Sequence, residues 1–360
     1  MSEMLQQKIT AALGAVAIPT MAGHLTAADC ITYETRAGSL LLTLELGVPE
    51  LGIASQLQQD IANVLREQGL SAELNIRSKI PAAAPANSQN HVEGVKNIVA
   101  VASGKGGVGK STTAVNIALA LAKEGASVGI LDADIYGPSM PQMLGVADQR
   151  PEMGTENTLW PIDALGIKLV SMGNLVTENT PMVWRGPMVS GALQQLVNNT
   201  MWQDVDYLIV DMPPGTGDIQ LTLSQTVPVS AAVIVTTPQD IALLDAKRGI
   251  EMFSKVNIPI LGIVENMATH TCSHCGHKEA IFGETGGAQL AEQYQTPILG
   301  QLPLQLSIRA QTDAGKPPVA AEPSSAVSLE YIEIARQIAA SLWLQSLHGT
   351  SAPEISVVDD

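Results

Sequence analysis

The chain has 360 residues, 46% of them hydrophobic but only 3% aromatic, so a core sized for two domains, or one with an appendage, must be packed from Ala, Val, Ile and Leu, which favours α/β over a β-sandwich. Its 35 acidic residues against 19 basic ones give a formal net charge of −16, which repels polyanions and argues against nucleic-acid and membrane partners. Three cysteines, no signal-peptide pattern over Met1–Thr20, and no apolar run of the roughly 18–20 residues a membrane helix needs point to a reducing, cytoplasmic setting.

In chain order, residues 1–80 read as a small α+β domain. Ser39–Leu46 is rich in β-formers, Ala54–Leu65 carries apolar residues at helical spacing, and Ala72–Ile76 returns to a strand-like pattern. Residues 81–93 follow as a linker, because Pro81–Asn90 (PAAAPANSQN) is small, Pro-containing and has nothing to bury. Over residues 94–347, apolar strand candidates alternate with helical segments: Ile98–Ala102, Ser127–Leu131, Ile167–Val170, Tyr207–Val210, Ala232–Thr236, Ile260–Val264 and Ile298–Leu302. Such alternation predicts a mostly parallel sheet with helices on both faces. Val327–Leu347 reads as an amphipathic terminal helix, and residues 348–360 as a flexible acidic tail.

The strand Ile98–Ala102 runs into Ser103-Gly104-Lys105-Gly106-Gly107-Val108-Gly109-Lys110-Ser111-Thr112 and then into a helix with Ala114, Ile117, Ala118 and Leu121 on one face. This is the strand, loop and helix context of a Walker A phosphate site. Its glycines let backbone N–H groups converge on phosphate oxygens, and the helix N-terminus adds positive potential. Lys110 should reach the β- and γ-phosphates of ATP, Ser111 should bind Mg²⁺, and Thr112 should add a further phosphate contact. Lys105 marks the deviant form of the loop, in which this lysine reaches a partner subunit's nucleotide.

Three acids fit the remaining chemistry. Asp211 follows the strand Tyr207–Val210, where a Walker B acid holds Mg²⁺. Asp132 and Asp134 follow Ser127–Leu131; we assign Asp134 to orienting the attacking water and Asp132 to the Mg²⁺ shell. Pro213–Asp218 (PPGTGD) reads as a γ-phosphate-sensing switch. Asn266 is placed to hydrogen-bond the adenine edge, and Pro238 with Gln239 either lines the base pocket or simply ends a strand.

Cys272 and Cys275 form a Cys-x-x-Cys pair in a polar segment that also holds His270, His274 and His277. Two thiolates cannot complete a tetrahedral zinc or a four-iron cluster. A symmetric dimer could supply two such pairs to one bridging [4Fe–4S] cluster, a histidine could complete a zinc site within one chain, or the pair could be a redox disulfide or an unliganded loop. Cys30 stands apart and reads as a buried free thiol.

With these residues in view, the chain resembles the bacterial Mrp/ApbC iron–sulfur cluster carriers, a branch of the deviant P-loop ATPases. The likeness spans about Gly94 to Pro318 and rests on several segments: Val101–Thr112 (VASGKGGVGKST), Gly129–Ser139 (GILDADIYGPS), Trp184–Met188 (WRGPM), Asp206–Asp218 (DYLIVDMPPGTGD), Thr236–Leu243 (TTPQDIAL), Glu265–Met267 (ENM) and the Cys272/Cys275 pair. The resemblance implies a homodimer, a labile cluster held by Cys272 and Cys275 of both subunits, its delivery to apo-proteins, and ATP hydrolysis in the cycle. Met1–Ile80 resembles a MIP18-type domain without that domain's Asp-Pro-Glu start or cysteine motif. Two rivals share the phosphate loop. A positioning ATPase of the MinD/ParA kind needs a membrane-binding or basic face, whereas this chain ends in Glu354, Asp359 and Asp360. A reductase like the nitrogenase iron protein has its cysteines far apart in sequence.

Overall fold

The structure is a computed structural model and describes residues 3–21, 24–36, 39–83, 91–135, 137–175, 186–272, 274–284 and 286–349. Tyr136, Trp184, Arg185, Ser273 and most of the expected linker and acidic tail therefore lie outside the described residues.

The N-terminal part contains α1 (Glu3–Leu13), β1 (Ile31–Arg36), β2 (Ser39–Leu46), α2 (Ala54–Glu67) and β3 (Ala72–Ser78). β1 pairs antiparallel with β2, and α2 crosses over to bring β3 parallel to it. Leu42, Leu44 and Leu46 alternate along β2 onto the buried face, and Leu57, Ile61 and Leu65 recur every four residues along α2 to cover them. The two elements not anticipated, α1 and β1, carry weak signals: β1 (ITYETR) is a polar edge strand with no apolar run.

The second sheet has nine strands. Its strands are β4 (Val95–Ala102), β5 (Val128–Asp132), β8 (Ile162–Ala164), β9 (Ile167–Ser171), β10 (Val205–Asp211), β11 (Ala231–Thr236), β12 (Ile260–Thr271), β13 (Lys278–Glu279) and β14 (Ile298–Leu304). A separate small hairpin pairs β6 (Glu152–Met153) with β7 (Leu159–Trp160). The order is β13-β12-β11-β4-β10-β5-β9-β8, with β14 also on β12, and only β8 and β13 pair antiparallel. The helices are α3 (Lys110–Lys123), α4 (Met140–Met143), α5 (Met172–Leu175), α6 (Gly186–Asn199), α7 (Asp218–Thr226), α8 (Asp240–Lys255), α9 (Gly286–Tyr294), α10 (Leu306–Asp313), α11 (Pro318–Ala321) and α12 (Ala326–Gly349). β5 and β11 are buried throughout, which is why Val128–Leu131 and Ala231–Val235 show no alternating polar face. The parallel strands end on one edge, where β4 feeds the phosphate loop and β5 and β10 present their acids.

The two parts share one core. Leu46, Val48 and Ile53 join Leu121, Ala339 and Trp343 in a single buried cluster. Trp343 covers Gly47 so closely that a Cβ there would fall 2.4 Å from the indole ring. Arg336 on α12 holds Glu124 at 2.7 and 3.1 Å and also donates to the Gly52 carbonyl. The first described stretch of the expected linker, 81–83, is anchored: Asn97 accepts from the Ala83 amide at 3.1 Å and donates to the Pro81 carbonyl at 3.0 Å. A short Pro- and Ala-containing run hid this because its partner, Asn97, lies on a later strand.

Candidate functional site

The phosphate loop joins β4 to α3. Gly107 and Gly109 take left-handed φ values of +82° and +83°, a region open to glycine at little cost. Gly104 lies against the backbone of α8, where a Cβ would be 2.1 Å from the Asp245 carbonyl group. Val108 is buried and anchors the loop, while Gly106 and Gly107 are exposed with amides available to a ligand. The 14-residue α3 starts directly at Lys110, so its unpaired N–H groups add to the nest.

Lys110, Ser111 and Asp211 form one connected group. The Lys110 Nζ lies 2.5 Å from Asp211 Oδ1, and the Ser111 hydroxyl donates to Asp211 Oδ2 at 2.6 Å. Asp211 is fully buried at the end of β10, directly opposite Asp132 on β5. Burial pushes the Asp211 carboxyl up, against the pull of the Lys110 ammonium and the Ser111 hydroxyl. A carboxylate and a hydroxyl converging beside a phosphate nest are hard oxygen donors of the kind Mg²⁺ takes, so Asp211 and Ser111 fit that ion. When bound, it would screen the triphosphate and polarise the γ-phosphoryl group.

The other two acids differ in environment. Asp132 is fully buried, and its carboxylate accepts from the Ser171 hydroxyl and from the Ser139, Met140 and Asp134 amides. Burial, then the charge of Asp211, push its carboxyl up. The structure thus gives Asp132 a bracing role for the loop after β5. Asp134 is only half-buried; among the described residues its carboxylate accepts from the Gly137 amide at 3.3 Å, and a carboxylate has further acceptor capacity for water.

The Pro213–Asp218 segment sits beside the loop. Gly215, at φ +98°, donates its amide to the Ser103 carbonyl at 3.1 Å. Lys105 is half-buried within the same turn, its carbonyl held by the Ser103 hydroxyl at 2.9 Å. Thr112 offers its carbonyl to Asn116 Nδ2 at 2.8 Å, while Asn116 Oδ1 accepts from Val319 at the start of α11. Sequence reading passed over Asn116; its signal is a polar residue inside the apolar face of α3.

Asn266 reaches the loop from β12. Its Nδ2 donates to the Val108 carbonyl at 2.8 Å, and its Oδ1 accepts from the Met267 amide at 3.0 Å. One N–H and one lone pair of the amide remain, a pairing complementary to an adenine edge. Pro238 is brought against Gly283 and Gly286: a Cβ on Gly286 would stand 2.7 Å from the Pro238 carbonyl oxygen.

The cysteines occupy the hairpin between β12 and β13. The Cys272 amide donates to the His277 carbonyl, and the Gly276 amide donates back to the Cys272 carbonyl at 2.9 Å, with Gly276 at φ +73°. The amides of Cys275 and His274 point at the Cys272 sulfur and hold its thiol below the usual range, so the turn favours thiolate. Cys275 is exposed. Among the described residues no group of three His, Cys, Asp or Glu side chains is assembled to hold a metal; His270 instead lies 3.9 Å from Glu279. Cys30 is half-buried, and burial followed by the charge of Asp29 pushes its thiol up to about 11. No helix among the described residues is long and apolar enough to cross a membrane.

Comparison with known proteins agrees with this geometry. The chain is 59% identical over 283 residues to an iron-sulfur cluster carrier protein of Pseudomonas fragi, covering 78% of this chain and 97% of that one. It is 49% identical over 347 residues to the iron-sulfur cluster carrier protein of Escherichia coli K12, covering 95% and 94%. Among solved structures, a nucleotide-binding protein of Archaeoglobus fulgidus in complex with ADP superposes with a TM-score of 0.58 at 34% identity, over 67% of this chain and 93% of that one. Residues 94–339 match the ParA family model described as the NUBPL iron-transfer P-loop NTPase, and the chain belongs to that family.

Proposed function

We propose that this protein is an ATP-dependent iron–sulfur cluster carrier. Two copies form a homodimer, bind a labile [4Fe–4S] cluster between them through Cys272 and Cys275 of each, and hand it to apo-proteins after receiving it from a scaffold or donor protein. The observation that carries the reading is the Cys272–Cys275 turn itself: a hydrogen-bonded knuckle directly after the strand that touches the phosphate loop through Asn266. Two thiolates per chain leave a four-iron cluster half-ligated, and a two-fold axis supplies the other pair. The carrier names of the relatives support the same reading and disfavour a positioning ATPase or a reductase.

In the ATPase cycle, the amides of Gly104–Gly109 grip the phosphates and Lys110 leaves Asp211 for the β- and γ-oxygens, while Ser111 with Asp211, adjoined by Asp132, would hold Mg²⁺, which would supply charge stabilisation at the phosphates. Thr112 adds a phosphate contact, Lys105 reaches the partner's nucleotide, and Asp134 orients the attacking water. Asn266 reads adenine, with Pro238 beside the base pocket. The γ-phosphate draws in Gly215–Asp218, and the subunit movement that follows changes the grip on the cluster. Iron and sulfide analysis after anaerobic reconstitution tests this: Cys272→Ala and Cys275→Ala should each lose both elements, and stoichiometric retention by either variant would end the assignment.

A further inference from the structure

β12 touches the phosphate loop through Asn266 and leads into the cysteine turn, and of its two register shifts against β14, at Ile263/Val264 and at Glu265/Thr269, the second falls between these two points. β12 is pinned at Glu265, a buried carboxylate that accepts from Gln301 Nε2 at 2.6 Å and from the Gly287 amide at 2.9 Å. Its register with β14 then jumps from Glu265 opposite Gln301 to Thr269 opposite Pro303. Four steps along β12 thus match two along β14, and Asn266, Met267 and Ala268 form a bulge. Met267 sits at φ +57°, in the left-handed region that brings a Cβ too close to the following carbonyl oxygen and so disfavours residues other than glycine.

This bulge is packed onto the nucleotide loop. Asn266 holds the Val108 carbonyl, and its Nδ2 fills the space where a Cβ on Gly109 would stand, 2.1 Å away; the Met267 methyl lies 3.9 Å from the same point. Beyond the bulge the strand resumes, pairs His270 and Thr271 with β13, and ends at Thr271, directly before Cys272. At about 3.3 Å per residue, at most about 20 Å of backbone separates Asn266 from Cys272. Bulges re-aim strands beside functional sites, and strained φ values cluster at switches.

We propose that the Asn266–Ala268 bulge is the element that couples nucleotide binding to the grip on the cluster, with Met267 as its positioning residue; this rests on the carrier reading above. A nucleotide that shifts Val108 or Asn266 acts on a strand fixed at Glu265, so the displacement is absorbed at Met267 and turns the segment Thr269–Cys272. Coupling of this kind is reciprocal: the factor by which nucleotide alters cluster affinity equals the factor by which cluster alters nucleotide affinity.

The test uses the full chain, reconstituted anaerobically, with a non-hydrolysable ATP analogue and Mg²⁺. Cluster affinity, from titration with a competing iron chelator, is compared with and without analogue, and analogue affinity is compared with and without cluster. The wild type should show the same factor in both directions, about 5-fold or more. In Met267→Gly, which relaxes the hinge, the factor should fall below about 2-fold while cluster loading is unchanged. Met267→Asn, which tolerates the left-handed region, should keep it near the wild-type value. A wild-type factor retained by Met267→Gly, or a loaded wild type with no nucleotide effect, overturns the coupling and leaves the carrier reading standing. A wild type that binds no iron and sulfide overturns both.

Discussion

Gly107 and Gly109 make a matched pair for testing how the phosphate loop is held. Their φ values are +82° and +83°, so alanine at either position costs about 1–2 kcal/mol for the backbone alone. A methyl group on Gly107 meets nothing within 4 Å, whereas one on Gly109 would lie 2.1 Å from Asn266 Nδ2. Asn266 must then swing away and give up its 2.8 Å bond to the Val108 carbonyl, leaving buried polar groups unpaired at about 1–3 kcal/mol. Gly109→Ala should therefore be less stable than Gly107→Ala by about 1–3 kcal/mol, read from urea midpoints of the nucleotide-free protein at unchanged m-value. Asn266→Ala removes the obstacle. In that background the Gly109→Ala penalty should fall to the Gly107→Ala value, a non-additivity that a double-mutant cycle measures directly. Equal stabilities for the two single variants, or simple additivity in the double variant, would refute the Asn266 contact.

Other expectations follow from the same geometry. Trp343→Ala should destabilise the chain by about 3–5 kcal/mol and raise hydrogen exchange in β2 and α2, since the indole covers Gly47; unchanged exchange there would separate the two cores. Asp134→Asn should bind ATP with near-normal affinity and slow its hydrolysis about 100-fold or more, so normal turnover by that variant would remove Asp134 from the chemistry. Alkylation at neutral pH should modify Cys272 well before Cys30, because amides stabilise the Cys272 thiolate while burial and Asp29 oppose the Cys30 one; the reverse order by peptide mass mapping would contradict both environments.

The parallel sheet and its phosphate loop were legible because both are written locally. Runs such as Ala232–Thr236 have no polar face to hide, and the spacing Gly104 to Lys110 needs no distant partner. What escaped the sequence depends on contacts across many residues. Asn266 shows this most clearly: its side chain meets Val108 from 158 positions away, and the bulge that aims it is visible only in the register of β12 against β14. The expected strand Ile260–Val264 stops short for the same reason, since Glu265–Thr271 is polar and continues as strand only because β14 and β13 pair with it. Asp132 is a further case: the contacts that brace it come from Ser139, Met140 and Ser171, and no spacing in the sequence announces that these three meet its carboxylate.

The most direct trial of the central claim is native mass spectrometry of the anaerobically reconstituted full chain. A species of two chains carrying one four-iron, four-sulfide unit is expected, and that mass increment should be lost when Cys272 is replaced. A single chain holding one zinc, or a dimer whose iron and sulfide survive the loss of Cys272, would contradict it.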